Sequence, residues 1–587
     1  MHPDDDPYVL GGGGPEDHAF WADRVADLIE AREPNEPIVI KGGISVSGVP
    51  HLGNMNEVLR GYFVAESLRD RGHTVRQVFT ADDRDPLRKL PRKLADLDGN
   101  IVGLGDVDAG ALGRNLGVPY TDIPDPFGCC DSYGDHFATL IEIGAQQLGI
   151  PVEMISTTDL YEDGAFDAIT RHLLEERETA RDVLAEYQDK VDASYIPFNP
   201  ICETCGKITE TVTSVDADAD TVEYECTDIE AGGQTIEGCG HHGTASLRDG
   251  KLPWRFEWPA QWQALDVDHE PFGKDHAEGS WPSGTDIARN VMDFEPPVPM
   301  VYEWFTLNGE AFSSSEGNVI LVQEVLEMLE PEVVRYFFTK DPVRARDFNI
   351  ERFDQLTDEF DRFERHYYEE IDEPDPDTTG VAKAAYPAVI RPTVATRFDA
   401  DGTPIEQPDA VAEPVTDPGR RDQLTAIIEK DFSARERIPY TFAAVLGMTD
   451  DTDLRLTMAH RQEHLSPDAP AWVVTLATDR IEGARTWAER TDNEYNYRLQ
   501  SELPAVEFDP AIEEALEELA DLVADGADGE TIQGEIYETA KRHDIEVGEF
   551  FSAGYRLFLG QEQGPRLGPF LAALDRAFVV DRLRRKG

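Results

Sequence analysis

A short apolar strand, a glycine-rich turn and the start of a helix follow one another in Ile38-Val-Ile-Lys-Gly-Gly-Ile-Ser-Val-Ser-Gly-Val-Pro-His-Leu-Gly-Asn54. The apolar run at 38–40 predicts a buried strand, and helical spacing begins near Met55 and ends at Gly72. The apolar face of that helix is predicted to contain Val58, Tyr62, Ala65 and Leu68. Residues 75–80 form the next predicted strand. Strand, glycine turn, helix and strand in this order predict a parallel α/β sheet.

The turn Ser47-Gly-Val-Pro-His-Leu-Gly-Asn54 is predicted to bind phosphate. It precedes a helix N-terminus, where free backbone N–H groups and the helix dipole favour an anion. Gly48 and Gly53 allow the backbone to approach a ligand closely. His51 and Asn54 add side-chain donors that suit the charge developing on an α-phosphate during adenylyl transfer. Taken alone, the segment is also compatible with an ordinary tight turn that carries a surface histidine.

The charge balance of the chain is extreme. Its 587 residues contain 53 Lys and Arg against 117 Asp and Glu, a formal net charge of −64. Such a surface repels itself and nucleic acid in ordinary buffer, whereas at molar salt the Debye length falls to about 3 Å. We interpret the acidity as adaptation to a salt-rich cytoplasm; the alternative is a chain that avoids nucleic acid. The length predicts about two to four domains.

The sequence also excludes two classes of protein. No run of about 18 apolar residues is present, so a membrane-spanning helix is not expected. The acidic start lacks the basic and apolar regions of a secretory signal. A cytoplasmic location is therefore predicted.

Four of the six cysteines cluster in a segment with short β-like pieces, at Cys202, Cys205, Cys226 and Cys239. In a reducing cytosol this spacing indicates a four-thiolate structural zinc site rather than disulfides. The wide gap before the last cysteine leaves His241 or His242 as an alternative fourth ligand, and ordinary buried thiols are the other interpretation. The adjacent Cys129 and Cys130 are predicted to be core residues rather than ligands.

The turn resembles the "HIGH" signature of class I aminoacyl-tRNA synthetases, with Asn54 in place of the second histidine. Ala311-Phe-Ser-Ser-Ser-Glu-Gly-Asn318 resembles the partner "KMSKS" loop in its long form. Further segments are similar to the class I lysyl-tRNA synthetases, namely Thr80–Pro91, Ile123–Phe127, Leu252–Pro259, Glu270–His276 and Gly564–Gly568.

This resemblance implies a Rossmann-type α/β catalytic domain with a zinc-ribbon-like insert, followed by an α-helical C-terminal domain that reads the anticodon. With the residue patterns it predicts catalytic halves at 1–194 and 251–345, the insert at 195–250, a connecting segment at 346–420 and the helical domain at 421–587. Within the connecting segment, residues 370–420 are expected to be an extended linker because Pro and Asp recur. The implied reaction joins lysine to ATP as lysyl-adenylate and passes the lysyl group to the 3′ end of tRNA(Lys), with Mg²⁺ and a structural Zn²⁺ as cofactors.

The resemblance also implies site residues. The expected catalytic groups are His51, Asn54, Ser313, Ser314 and Ser315. The expected ATP contacts are Ser47, Gly48, His51, Gly53, Asn54, Phe312, Ser313, Gly317 and Asn318. The expected lysine contacts are Gly43, Ser45, Trp258, His276 and Tyr302. Asp82, Asp83 and Asp85 end a predicted strand, and Arg88 and Lys89 nearby could meet ATP phosphates or the acceptor end of the tRNA, or pair with neighbouring carboxylates.

One departure from the family pattern bears on activity. Ala311, Ser314 and Glu316 stand where the long "KMSKS" form has its three lysines, although the family often has serine at the middle position. Those lysines would offset the charge of the ATP phosphates. Two alternatives therefore stand beside a lysine-activating enzyme: an inactive paralogue that still binds tRNA, and a class I synthetase for another amino acid, such as glutamate or cysteine.

Overall fold

The structure is a computed structural model that describes residues 6–10, 18–189, 191–231, 233–312, 318–405 and 415–586. Within these residues the strands are β1 (Ile38–Ile44), β2 (Val75–Ala81), β3 (Lys93–Ala95), β4 (Ile101–Gly103), β5 (Glu153–Ser156), β6 (Asn199–Pro200), β7 (Val212–Asp216), β8 (Thr221–Glu225), β9 (Ile229–Ala231), β10 (Gln234–Ile236), β11 (His242–Ser246), β12 (Gly250–Lys251), β13 (His269–Gly273), β14 (Val298–Tyr302), β15 (Phe305–Leu307), β16 (Glu310–Ala311) and β17 (Arg346–Phe348).

The helices of the first part of the chain are α1 (Trp21–Glu30), α2 (Met55–Asp70), α3 (Ala109–Arg114), α4 (Tyr133–Gln147), α5 (Thr157–Glu162), α6 (Asp167–Glu175), α7 (Arg177–Ala185), α8 (Trp254–Leu265), α9 (Lys274–Glu278), α10 (Ser280–Asn290), α11 (Val322–Leu326) and α12 (Pro331–Phe337). Those of the second part are α13 (Phe353–Tyr367), α14 (Pro376–Arg397), α15 (Pro418–Lys430), α16 (Tyr440–Leu446), α17 (Thr452–Arg461), α18 (Ala471–Thr491), α19 (Pro510–Ala524), α20 (Gly529–Arg542), α21 (Val547–Leu559), α22 (Leu567–Ala573) and α23 (Arg576–Leu583).

A five-stranded parallel sheet in the order β14-β13-β1-β2-β5 organises the first part of the chain. The predicted parallel sheet is thereby confirmed. In such sheets ligands bind outside the carboxyl ends of the strands, where the strand order reverses. Here the chain leaves β1 for β2 on one side, and β13 pairs with β1 on the other. The carboxyl ends of β1, β2 and β13 therefore define the expected site.

The strand β1 extends beyond the apolar run that predicts it, because its glycines continue the pairing with β2. Gly43 lies opposite Thr80, and a Cβ on Gly43 would stand 2.3 Å from the Thr80 Oγ1. Glycine is thus required for the close approach of the two strands. The helix α2 follows with its apolar face fully buried, as predicted, because it packs on the sheet and on later helices.

The cysteine-bearing segment forms a small antiparallel insert. Its base is closed by β6 paired with β12, and it contains the sheet β11-β8-β7 and the hairpin β9–β10. Because β12 leads directly into α8, the insert is attached next to the carboxyl ends of the main strands. Lys251, the last residue of β12, reaches that edge of the sheet.

The second part of the described chain is helical. The expectation of an extended linker over 370–420 is wrong for α14, a buried 22-residue helix that contains Pro387 and Pro392. Its alanine and valine face packs against α12, α13 and α15, and this burial outweighs the proline signal. The stripe predicted at Ile512, Leu516, Leu519 and Val523 is confirmed as the buried face of α19.

Buried ion pairs join the two parts of the chain. Glu66 of α2, with a side chain only 3% exposed, contacts Arg391 of α14 and Arg421 of α15. Burial opposes ionisation of Glu66, but these arginines hold its pKa at about 2. Removing one partner would leave an uncompensated buried charge. One hydrophobic core cluster also contains residues of both parts of the chain, from Phe20 to Leu583.

None of the helices among the described residues combines the length and the apolarity that crossing a bilayer requires.

Candidate active site

A cavity of about 470 Å³ opens at the carboxyl ends of β1, β2, β13 and β14. Its lining residues come from separated parts of the sequence that the parallel sheet brings to one edge. They are Gly43, Ile44, Ser45, His51, Gly53, Asn54, Asn56, Glu57, Phe79, Asp82, Asp85, Trp254, Gly273, Asp275, His276, Tyr302, Trp304, Phe305, Ala311 and Phe312. The cavity therefore contains most of the residues that the sequence singles out at 43–54.

The signature turn is held by its own side chains. The His51 N–H donates to the Asn54 Oδ1 at 2.9 Å, and the Asn54 N–H donates to the His51 carbonyl at 2.9 Å. Asn54 thus shapes the turn, and its carboxamide oxygen is already engaged. A Cβ on Gly53 would lie 2.8 Å from the His51 ring, so only glycine fits beside this imidazole.

His51 is a neutral imidazole near pH 7, because burial lowers its pKa to about 4. Its Nδ1 is buried and has no hydrogen-bond partner among the described residues. The ring stacks on Phe312 with centroids 4.9 Å apart. A neutral ring with free hydrogen-bonding capacity can donate to a phosphate oxygen.

The two signature segments meet in space although about 260 residues separate them. The Leu52 N–H donates to the Ile320 carbonyl at 2.9 Å, which links the turn to the segment between the downstream loop and α11. Ala311 and Phe312 line the cavity. Asn318 does not line it; its Nδ2 donates to the Ala311 carbonyl at 2.9 Å. The predicted residues Ser313, Ser314, Ser315 and Gly317, and Glu316, lie outside the described residues.

A glutamate that the sequence reasoning missed forms the polar end of the cavity. Glu57 Oε1 accepts a hydrogen bond from the Tyr302 hydroxyl at 2.9 Å, and its Oε2 accepts one from the Gly43 N–H at 3.2 Å. Burial raises the pKa of Glu57 to about 7. An acidic residue in the first turn of a helix is common, since it complements the dipole, so its position gave no distinctive signal.

The aromatic wall is formed by a different tryptophan from the one predicted. Trp258 is 2% exposed, does not line the cavity and donates its Nε1 hydrogen to Glu270 at 2.9 Å. Trp254, one helical turn earlier, lines the cavity and stacks on Trp258 with centroids 5.4 Å apart. His276 and Tyr302 line the cavity as expected. Trp258, which is predicted to contact lysine, thus lies behind Trp254 and not at the cavity surface.

The three aspartates after β2 have different roles, because two of them line the cavity and the third holds the loop in place. Asp82 and Asp85 line the cavity, whereas Asp83 accepts hydrogen bonds from the Thr158 N–H at 2.8 Å and the Thr157 hydroxyl at 3.1 Å. Burial, together with neighbouring carboxylates, holds the pKa of Asp82 well above its usual range. Asp83 instead fastens the loop to α5.

Lys251, which comes from the insert, neutralises the charge of Asp85. Lys251 is 3% exposed and contacts Asp85, and its Nζ lies 2.8 Å from the Glu257 Oε2. Burial alone would raise the pKa of Asp85, but the Lys251 and Arg88 charges lower it below its ordinary value. Asp85 therefore remains a carboxylate at the cavity edge.

A second cavity of about 330 Å³ adjoins the first through Ser45 and Asp85, which line both. It is further lined by Ser47, Gly48, Arg88, Lys89, Leu90, Pro91 and Tyr120. The predicted phosphate residues Ser47 and Gly48 and the predicted cations Arg88 and Lys89 thus share one hollow. Cationic side chains in such a hollow suit an anionic group.

The four predicted cysteine ligands converge in the insert. The sulfur atoms of Cys202 and Cys239 lie 3.6 Å apart, those of Cys205 and Cys226 lie 3.7 Å apart, and all four lie within 4.8 Å of one another. Tetrahedral zinc with Zn–S bonds of 2.3 Å requires sulfurs ~3.8 Å apart. His241 instead pairs with Glu203 at 2.9 Å, outside the cluster. Outside the insert, Cys129 is exposed, so the expectation that it is a core residue is wrong.

The chain is similar to known tRNA synthetases over most of its length. A family model described as tRNA synthetases class I (K) matches residues 19–386. A lysine–tRNA ligase of Halobacterium salinarum is 63% identical over 589 residues and covers 100% of both chains. Those of Haloarcula marismortui (62% identical, 99% of both chains) and Natronomonas pharaonis (59% identical, 99% of this chain and 100% of the relative) are similar throughout. The chain belongs to the class I (K) family of tRNA synthetases.

Proposed function

We propose that the chain activates lysine with ATP and transfers the lysyl group to the 3′ end of tRNA(Lys). The observation that carries the choice of lysine is the charge of the main cavity. Four residues with carboxyl groups line it, Glu57, Asp82, Asp85 and Asp275, and no lysine or arginine occurs among the described lining residues. Asp85 is paired with Lys251 and burial disfavours the charge on Asp82, so the selection rests on Glu57 and Asp275, beside which a lysine ammonium is favoured over the side chain of glutamate or cysteine.

We assign an ammonium of lysine to the end of the cavity formed by Glu57 and Tyr302. The Tyr302 hydroxyl already donates to Glu57, so its oxygen can accept a hydrogen bond from the substrate. Trp254 and His276 supply flat faces along the wall, and a cation over an aromatic face is attracted by the ring quadrupole. Gly43 and Ser45, at the end of β1, complete this end of the cavity.

The ATP phosphates are assigned to the signature turn. The lysine carboxylate attacks the α-phosphorus, the bond from this phosphorus to the α,β-bridging oxygen breaks, and pyrophosphate leaves. The neutral His51 ring donates a hydrogen bond to an α-phosphate oxygen as its charge grows, while Gly53 keeps room for the ring. From the family resemblance, we propose that ATP is also contacted by Ser313, Ser314, Ser315, Gly317 and Asn318.

We propose that cations in solution offset the phosphate charge that the lysines of the downstream loop neutralise in the family pattern. At molar potassium chloride the repulsion between ATP and the acidic surface is largely screened. Magnesium bound with ATP offsets the phosphate charge directly. No measurable exchange of pyrophosphate into ATP at molar potassium chloride would favour the inactive paralogue instead.

We propose that Cys202, Cys205, Cys226 and Cys239 hold a structural zinc ion. Four protein ligands leave no open position for catalysis, so the ion would stabilise the insert. The insert in turn delivers Lys251 to Asp85 at the cavity edge. Zinc bound in the insert would therefore help to position Lys251 beside Asp85.

Transfer RNA is proposed to approach through the second cavity, where Arg88 and Lys89 are exposed beside Ser47 and Gly48. The hollow adjoins the main cavity, so a 3′ end bound there lies next to the adenylate. The helices from 421 onward are proposed to bind the anticodon, and the cytoplasm is proposed as the location.

The test is amino-acid-dependent ATP–pyrophosphate exchange in molar potassium chloride, with lysine, glutamate and cysteine compared in parallel. Exchange with lysine alone is expected. Exchange with glutamate or cysteine but not lysine would assign a different substrate. A second measurement uses the Asp275→Asn variant, in which a higher KM for lysine is expected because one carboxylate of the cavity is removed.

A further inference from the structure

A cavity of about 500 Å³ in the helical part of the chain is lined mainly by basic side chains. These basic residues are Arg365, Arg435, Arg437, His460 and His464. The acidic side chains among its described lining residues are Glu436 and Glu463. The chain as a whole has 117 Asp and Glu against 53 Lys and Arg, so the balance of charge is reversed here. We call this hollow the basic cavity.

Three separated segments build the basic cavity. Arg365 is in the last turn of α13, Arg435 and Arg437 lie in the connection that leads to α16, and the histidines lie at the end of α17 and just after it. None of these segments is a run of positive charge in the sequence. The fold therefore assembles a cationic site that the residue order does not announce.

Arg437 offers a free donor at the wall of the basic cavity. Its side chain is only 9% exposed, its Nε lies 2.5 Å from Glu364 and its Nη1 lies 3.0 Å from Glu370. The Arg437 Nη2 is buried and has no hydrogen-bond partner among the described residues. A buried donor without an acceptor costs free energy, so a ligand that brings an acceptor to this nitrogen is favoured.

Two exposed arginines of α13 lie beside this buried one. Arg362 and Arg365 are three residues apart, so they share a face of the helix. Neither side chain forms a contact ion pair or a hydrogen bond among the described residues, and Asp358 and Asp375 act on them only through longer-range electrostatics. Arg362 lines an adjoining cavity of about 470 Å³ that shares Arg365 and Arg437 with the basic cavity.

The carboxylates around these cations are mostly engaged. Glu436 accepts a hydrogen bond from the Ser466 N–H, and Asp361, in the adjoining cavity, pairs with Arg480 at 2.7 Å. Glu463 remains exposed. The free donors of the three arginines are thus opposed by few free carboxylates, which favours an anionic ligand.

His460 suits a ribose as well as a phosphate. Its Nδ1 lies 2.9 Å from the Leu465 carbonyl, which can only accept, so Nδ1 carries a proton. The Nε2 forms no hydrogen bond among the residues that the structure describes. It can accept from a ribose 2′-hydroxyl when the ring is neutral, or donate to a phosphate oxygen when the ring is protonated.

We propose that the basic cavity and Arg362 bind the sugar–phosphate backbone in the body of the tRNA, between its 3′ end and its anticodon. This inference rests on the proposed charging of tRNA(Lys). The helix α13 begins beside the small sheet of the downstream loop, where the Ile350 N–H donates to the Asn308 Oδ1 at 2.9 Å. Arg365 lies ~18 Å further along α13 than Phe353, beyond the catalytic part. The arginines therefore meet the tRNA body and not its 3′ end.

The burial of Arg437 suits a salt-rich medium. At molar salt the Debye length is about 3 Å, so attraction between exposed charges over longer distances is lost. Direct contacts to a partly buried cation are screened much less. The basic cavity thus retains affinity for phosphate under conditions that also suppress the repulsion from the acidic surface.

The test is the Kd of the full chain for a tRNA(Lys) transcript in molar potassium chloride, measured by filter retention without lysine or ATP. The double variant Arg362→Gln/Arg365→Gln changes two exposed side chains and should raise this Kd at least ~10-fold. The slope of log Kd against log salt should fall by about 1–2, since ~0.7–0.9 ions are released per phosphate contact. In lysylation the KM for tRNA should rise in parallel, while kcat and the KM for lysine stay within about threefold.

The matched control is Arg76→Gln. Arg76 pairs with Glu153 near the amino ends of the strands, opposite the main cavity, so its Kd for tRNA should not change. An equal Kd for the double variant and the unaltered chain overturns the proposal. Binding is measured without lysine or ATP, so this result is separate from any failure of the proposed lysine activation.

Protection of the unaltered chain distinguishes the tRNA body from other anions. A dicarbonyl reagent that modifies arginine should react with the exposed Arg365, identified by peptide mass. We expect tRNA(Lys) to slow this reaction, and neither an acceptor-stem minihelix nor inorganic phosphate at the same phosphate concentration to do so. Equal protection by inorganic phosphate would indicate a site for small anions and overturn the proposal. Equal protection by the minihelix would move the contact to the acceptor arm and overturn it as well.

Discussion

Replacing Glu57 with glutamine tests the assignment of the substrate ammonium. Glutamine keeps the volume of the side chain, and its carbonyl oxygen can accept a hydrogen bond from the Tyr302 hydroxyl or the Gly43 N–H. The substitution therefore removes the negative charge and little else. The exposed Glu153 of β5, which pairs with Arg76 far from the cavity, offers a matched glutamate-to-glutamine control.

The expected magnitude follows from the loss of a charged hydrogen bond. Such bonds contribute ~1.5–3 kcal/mol, which corresponds to a rise in the KM for lysine of ~10- to 200-fold. The assay is lysine-dependent ATP–pyrophosphate exchange in molar potassium chloride. The Glu153→Gln control should change KM by less than about threefold, since surface pairs contribute little.

The pH dependence provides a second signature of Glu57. Burial raises its pKa to about 7, so in the free enzyme the group is largely protonated below that pH. Lysine binds the carboxylate form, so the KM for lysine should fall ~10-fold between about pH 6 and about pH 8. The Glu57→Gln variant should show no such change.

The Glu57→Gln substitution should weaken lysine binding but increase the stability of the fold above about pH 7. A raised pKa contributes stability below the ordinary value of 4.5, and this is lost as pH rises through about 7. The glutamine never ionises, so at about pH 8 its free energy of unfolding should exceed that of the unaltered chain. The upper bound is ~3 kcal/mol, and solvent in the open cavity reduces it. An unchanged KM together with unchanged stability would refute the assignment.

Three further substitutions probe the site. His51→Ala should lower the rate of ATP–pyrophosphate exchange at least ~100-fold, because removing one transition-state hydrogen-bond donor costs ~2.7 kcal/mol. An unaltered rate would mean that His51 has only a structural role in the turn. Lys251→Met should lower the free energy of unfolding at neutral pH by ~3–5 kcal/mol, because Asp85 and Glu257 lose their counter-charge. Denaturant titration measures this change, and equal stability of the variant and the unaltered chain would contradict the pairing. Gly53→Ala should raise the KM for ATP, because its Cβ would stand 2.8 Å from the His51 ring. The control Gly105→Ala, whose Cβ would meet open space, should leave the KM for ATP unchanged. Equal effects of the two substitutions would refute the steric argument.

Much of the catalytic fold could be predicted from the sequence because its signals are local. The strands β1 and β2 and the helix α2 appear in the residue pattern at 38–80, and the parallel sheet follows from their order. The four cysteines likewise converge as their spacing predicts. The helix α14 could not be predicted, because its prolines indicate a break and only its burial between other helices shows otherwise.

Within the site, residue type was predicted better than orientation. Trp254 and Trp258 are one helical turn apart and look equivalent in the sequence, but Trp258 is turned toward Glu270 and only Trp254 reaches the cavity. Asp82 and Asp83 are adjacent just after β2, but Asp83 accepts hydrogen bonds from α5 and only Asp82 lines the cavity. Only the packed sheet shows which face is open.

The sequence by itself determined the family, the parallel sheet and the convergence of the four cysteines of the insert, because each follows from neighbouring residues or from a spaced signature. The tertiary structure decided the chemistry of the individual groups. Glu57, His51 and Asp82 carry shifted pKa values because segments distant in the chain exclude water from them. Desolvation depends on what packs around a group in space, and that information is not local to the residue.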